Sequence, residues 1–157
     1  MNVGKRNTLI NPIKDILKTE VSVCPLTVLA DPGRLRDILK GDTAGMHPSA
    51  AYIYRKQLEE SDIIAITKCD LYGAEEISLL SQNLKENFPE CEIRAISAKT
   101  GEGVEDWLEH VLSGGDAGKH IVDIDYDKYA EGEAILGWLN CSASLSGHEV
   151  DWDAFAK

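Results

Sequence analysis

The chain has no run approaching the roughly eighteen consecutive apolar residues that a membrane helix needs, and no basic stretch leading into an apolar one as a secretion signal does. It has no Cys-x-x-Cys pair: Cys24, Cys69, Cys91 and Cys141 stand singly, which fits reduced cytosolic thiols better than a disulfide framework. It is short of positive charge, with 16 Lys and Arg against 27 Asp and Glu and a net charge of -11, which disfavours nucleic acid and anionic membranes as partners. It also has no internal repeat. His47, His110, His120 and His148 are too scattered for a zinc pattern. The acidic run Asp123, Asp125, Asp127, Glu131 and Glu133 lacks the glycine turn and closing glutamate of a calcium loop and reads as a solvated face. Trp107, Trp138 and Trp152 read as core or interface anchors rather than a stacking platform for nucleic acid. No Ser-His-Asp or Cys-His arrangement can be argued from spacing.

What remains is 157 residues at 43% hydrophobic content, enough for one domain with a core. Leu9 to Leu17 has apolar residues at helical spacing. Residues 21–30, VSVCPLTVLA, read as a buried strand in which Pro25 calls for an edge position or a bulge. Asp31-Pro32-Gly33 reads as a turn, Arg34 to Leu39 as a short helix, residues 41–48 as a loop and residues 49–60 as a stronger helix bearing Tyr52, Ile53, Tyr54 and Leu58. A second strand is predicted over residues 62–66 and a helix over residues 74–87, with Ile77, Leu79, Leu80 and Leu84 inward. A third strand follows over residues 92–96 and a further helix over residues 104–112. This alternation predicts an α/β fold, a parallel sheet flanked by helices on both faces. Residues 113–119 read as a linker, residues 121–126 as a short strand, residues 126–134 as acidic and small, and residues 135–145 as another strand. A final helix is signalled to start near Asp151.

Two segments carry chemistry. Ser61-Asp-Ile-Ile-Ala-Ile-Thr-Lys-Cys-Asp70 reads as a buried strand ending in a [NT]-K-x-D turn, and Ile96-Ser-Ala-Lys-Thr-Gly-Glu-Gly103 as a second strand ending in S-A-K. Both turns fall at the carboxyl ends of strands, where open α/β sheets bind ligands. Guanine offers N1–H and an N2 amine on one edge, so a fixed Asp70 carboxylate can accept from both and reject adenine. The aliphatic stem of Lys68 can lie along the face of the base. Thr67, where most such sites have Asn, keeps a hydroxyl to tie neighbouring loops with fewer bonds than an amide. The Ala98 N–H is expected to point at guanine O6, Ser97 to brace the loop, and Lys99 completes the S-A-K set.

The order of strand, DPGR, Gln57 to Asp62 as Q-x-x-x-[SA]-D, TKCDL, SAKTGEG and the segment from Asp125 to Asn140 resembles the CobW-like branch of the CobW/HypB/UreG family of metal-handling GTPases over nearly the whole chain. That resemblance implies a partial P-loop-NTPase-type sheet over residues 1–112, a linker over 113–119, and the start of a C-terminal β-containing extension, a small α/β unit, over 120–157. It implies GTP or GDP with Mg2+ as cofactors of the complete family domain. It further implies a client metalloprotein or corrinoid protein as partner and a cytoplasmic role in metal homeostasis or cobalamin biosynthesis. The chain departs from the family in lacking G-x-x-x-x-G-K-[ST], C-x-C-C and E-x-x-G. Residues 3–6 lack the first Gly and the hydroxyl, and residues 113–120 place Ser and His where Gly and Ser/Thr belong. Loss of the phosphate-loop strand is expected to expose an apolar sheet edge and favour self-association or pairing with an intact homologue. Two functions stay open at this point: the guanine-recognition portion of a GTPase that does not hydrolyse alone, and a non-catalytic interaction module on the same scaffold. Nucleic acid and membrane are not expected partners.

Overall fold

The computed structural model describes residues 24–113 and 122–136. Three parallel strands, β1 (Thr27–Ala30), β2 (Ile63–Ile66) and β3 (Glu92–Ala95), form a sheet in the order β1-β2-β3. Helices α1 (Pro32–Leu39) and α2 (Pro48–Glu60) link the first two strands, and α3 (Ala74–Asn87) links the second and third. α4 (Val104–Leu112) follows β3, and α5 (Tyr126–Leu136) ends the described chain. The protein is thus α/β, a three-stranded parallel sheet flanked by helices.

The register sets which residues share a face. Val28, Ile64 and Ile93 are level with one another, as are Ala30, Ile66 and Ala95 one step further along that face. Against this face pack Leu35 and Ile38 of α1, Ala51 and Leu58 of α2, and Leu80, Leu84 and Phe88 at and after α3. Each large apolar side chain buried here contributes about 1.5–3 kcal/mol. The other face carries Thr27, Leu29, Ile63, Ala65, Glu92 and Arg94, and α4 lies on it. Trp107 Nε1 donates to Thr27 Oγ1 at 3.1 Å, His110 Nε2 lies 2.9 Å from Glu92 Oε2, and Arg94 donates to the Asp106 carbonyl. Ile63 and Ala65 are fully covered, whereas Leu29, on edge strand β1, is 58% exposed.

The helix starts follow local chemistry. Asp31 caps α1 and Pro32 takes its first turn; His47 Nδ1 accepts from Ser49 N at the start of α2, again with Pro in the first turn. Glu75 and Glu76 open α3 and Glu105 and Asp106 open α4, the sign the helix dipole favours.

Several expectations need correction. Asp31-Pro32-Gly33 is the beginning of α1, because a capping carboxylate followed by Pro and Gly starts a helix as readily as it makes a turn. β1 begins at Thr27, two residues after Pro25, and residues 24–26 are irregular. Leu79 is 60% exposed, since Leu80 and Leu84 already occupy the core side of α3. Over residues 122–125 there is no strand, and Tyr126 opens a helix that runs through Ile135 and Leu136. Its buried residues, Tyr129 and Gly132, face α2: Tyr129 joins Ile53, Tyr52 and Ile124 in a second apolar cluster, and Ser49 Oγ donates to Glu131 Oε2 at 2.7 Å. The helix expected over Leu9 to Leu17, most of the linker, the rest of the strand expected over 135–145, and the helix signalled near Asp151 lie outside the described residues.

Candidate functional site at the carboxyl ends of the strands

β2 runs directly into Thr67. Its N–H and Oγ1 both donate to the Ala30 carbonyl, at 2.9 and 3.0 Å, which clamps the end of β2 to the end of β1. Lys68 then takes a left-handed conformation, φ 56° and ψ 34°. For a residue with a Cβ this costs on the order of 1–2 kcal/mol and persists only where neighbours enforce it. They do: Thr67 is fixed as described, and Cys69 N donates to the Ile96 carbonyl at 3.2 Å. A short 3-10 turn, Cys69–Leu71, follows.

The third loop is built around Ser97, which is 0% exposed. Its N–H donates to the Glu102 carbonyl, its carbonyl accepts from Gly101 N, and its Oγ accepts from Thr100 N. The same Oγ donates to Asp70 Oδ1 at 2.6 Å, the short distance typical of a hydroxyl on a carboxylate. Gly103 closes the loop at φ 68°, and a Cβ there would collide with the Ala95 carbonyl, so only glycine fits between this loop and α4.

The six residues singled out from sequence come together here. Thr67, Lys68, Asp70, Ser97, Ala98 and Lys99 line one open cleft of about 510 Å3, with Leu29, Leu71 and Ile96 as its apolar walls. Ala98 and Lys99 are exposed at its rim, Ser97 is buried beneath it, and Asp70 is half-buried. A second cleft of about 380 Å3 lies across Asp70, lined by Cys69, Tyr72, Ala74, Ile77, Ser78, Ala95 and Glu102. Burial first, then the Glu102 and Asp70 carboxylates, push the Cys69 thiol up, so it stays protonated and unreactive at neutral pH.

Asp31 also belongs to this end of the sheet, although in the sequence Asp31-Pro32-Gly33 reads as a turn. Its Oδ1 accepts from Gly33 N and Arg34 N, at 3.0 and 3.3 Å, while Oδ2 accepts from Lys68 Nζ at 2.9 Å. The Lys68 bond is the main reason its carboxyl lies below the usual carboxylate range, aided by the two backbone donors and opposed by partial burial. The sequence signal was present: Asp-Pro-Gly directly after an apolar strand and before a helical pattern marks an N-cap at a strand's carboxyl end.

The chain matches no family model, no curated protein and no solved structure. The groups that line the cleft define its chemistry. The cleft offers a fixed carboxylate with one oxygen engaged by Ser97, an aliphatic stem and apolar walls, with Ala98 and Lys99 at its rim. That set suits a flat, largely apolar ring with donors along one edge. Among the described residues no three His, Cys, Asp or Glu side chains converge on a metal-sized site, and none of the loops has the phosphate-cradling sequence. No helix among them is long and apolar enough to cross a membrane.

Proposed function

We propose that the chain is the guanine-recognition portion of a CobW-like GTPase of the CobW/HypB/UreG kind. In this reading it works in the cytoplasm as a metallochaperone or in delivery of a metal or cobalamin cofactor to a client metalloprotein or corrinoid protein, and does not hydrolyse GTP alone. The observation that carries the proposal is the Ser97 to Asp70 hydrogen bond, which joins the two loops and fixes the carboxylate in the cleft. One Asp70 oxygen is held by Ser97, and among the described residues no other group donates to the carboxylate, which leaves lone pairs to accept from N1–H and the N2 amine of guanine. Adenine presents an acceptor at N1 and no amine at C2, and so sets a lone pair against the carboxylate. Lys68 and Leu71 supply wall for the face of the ring. The described residues fit the base but offer no cradle for the phosphates and no ligand set for Mg2+.

Titration of the full chain with a fluorescent GDP analogue, competed with GDP, GTP and ATP, tests this. Displacement by guanine nucleotides and not by ATP supports the reading. Asp70→Asn should then weaken binding by about 1.5–3 kcal/mol, through loss of a charged acceptor. Absence of binding overturns it.

The second reading, a non-catalytic interaction module, is favoured by one observation. Among the described residues β1 is an edge strand, and Leu29 is exposed on it where another chain can add. Under that reading Asp70→Asn leaves partner binding unchanged.

A further inference from the structure

The register places Ala30 beside Ile66, so the residues that follow β1 and the turn after β2 emerge next to each other. Asp31 and Lys68 meet there, and the two oxygens of Asp31 do separate work. Oδ1 is committed to Gly33 N and Arg34 N at the start of α1, and this cap orients the carboxylate without help from Lys68. Oδ2 then presents a fixed anchor to Lys68 Nζ at 2.9 Å. At its other end Lys68 is fixed as well, because its left-handed backbone is bracketed by the Thr67 and Cys69 bonds to the neighbouring strand ends. The four-carbon stem is held between two fixed points along the wall of the cleft. A free lysine has many rotamers, and a ligand stacking on its stem must suppress part of that freedom.

We infer that Asp31 is a positioning residue of the cleft: by anchoring the Lys68 ammonium it pre-orders the Lys68 stem as the surface on which a planar base packs. The inference rests on the guanine-recognition reading. It also separates from two simpler roles for Asp31. As a cap alone, Asp31 should be replaceable by Asn, which caps about equally well. As a negative charge alone, it should repel an anionic nucleotide, and its neutralisation should tighten binding of GDP. A positioning role gives the opposite sign, and the same loss for an uncharged nucleoside as for a nucleotide.

The test uses the full chain with guanosine and a fluorescent GDP analogue as probes, on wild type, Asp31→Asn, Lys68→Met and the double variant. Thermal melts check that Asp31→Asn keeps its cap and fold. The expected result is about a three- to fivefold loss of affinity for both probes in Asp31→Asn, the scale of a partly exposed ion pair, and no further loss on adding it to Lys68→Met. Unchanged or tighter binding of both probes to a folded Asp31→Asn overturns the positioning role while leaving the base site standing. Failure of wild type to bind either probe overturns the base site and this inference with it.

Discussion

Ser97 Oγ donates to Asp70 Oδ1 at 2.6 Å from a side chain that is 0% exposed, across 27 intervening steps of sequence. A buried hydroxyl between a carboxylate and the Thr100 N–H cannot be removed without leaving both partners short. Ser97→Ala should therefore destabilise the chain by about 1–3 kcal/mol and release Asp70, weakening guanine binding as well. Denaturant midpoints and nucleotide titration on the same samples check it. Ser97→Thr, which keeps the hydroxyl, should lose less of both unless its extra methyl overfills the site.

Tyr54 combines a buried hydroxyl that has no hydrogen-bond partner among the described residues with a titration pushed up to about 12, by burial first and by the Asp31 carboxylate second, with Arg34 opposing. Tyr129 is likewise raised to about 12 by burial and then by Glu133. Both phenols ionise more easily in the unfolded chain. Their contribution to stability is complete below about pH 10 and is lost as pH rises toward 12. Tyr54→Phe should be close to neutral at pH 7, within about 0.5 kcal/mol, because no hydrogen bond is lost. It should also flatten the alkaline decline. Unfolding curves at pH 8 to 11 for both proteins measure this.

The same residues show where sequence reading worked and where it stopped. The bounds of α3 and α4 could be read because glycine precedes each and acidic residues fill each first turn, all local signals. The candidate cleft was legible because TKCD and SAK each follow an apolar strand. The bond between Asp31 and Lys68 was not, since it depends on which strands are neighbours, 37 residues apart in sequence. Leu79 departs from the expected inward set because Ile77, Leu79 and Leu80, within one turn of helix, cannot all point one way. α5 leaves little trace in the sequence because the side chain that buries it is a single tyrosine, aided by a glycine whose value lies in having none.

That glycine makes its own prediction. A Cβ at Gly132 would lie 2.6 Å from the Ser49 carbonyl oxygen and 2.7 Å from Ile53 Cδ1. The isoleucine tip can move; the backbone carbonyl inside α2 cannot. Gly132→Ala gains up to about 1 kcal/mol of helix propensity. Overpacking of about 1–3 kcal/mol should outweigh it and push α5 from α2. Amide exchange should quicken over residues 126–136 while β2 stays protected.

Asp31 gives a prediction at acid pH that needs no ligand. Its carboxyl lies below the usual range chiefly because Lys68 donates to it. A depressed folded-state value means that the stabilisation is present above about pH 4 and is lost as pH falls through the folded value. Lys68→Met removes the main cause. The Asp31 carboxyl carbon, followed by NMR from pH 6 to 2, should titrate higher in the variant, and its acid unfolding should begin at a higher pH. If the two proteins titrate alike, the ion pair does not persist in solution.

Leu29 sits on edge strand β1, 58% exposed, level with the fully buried Ala65 of β2. In a parallel strand alternate residues direct their N–H and C=O groups to opposite sides; Ala30 gives its carbonyl to Thr67, the residue after β2, so Leu29 directs its own away from β2. An exposed leucine beside outward-facing backbone groups is the combination that recruits another strand. The chain should therefore associate as its concentration rises, and Leu29→Lys, which places a charge on that edge without touching the core, should shift it toward monomer. Sedimentation of both proteins from micromolar to near-millimolar concentration decides the matter: equal monomer fractions throughout would remove β1 as the contact.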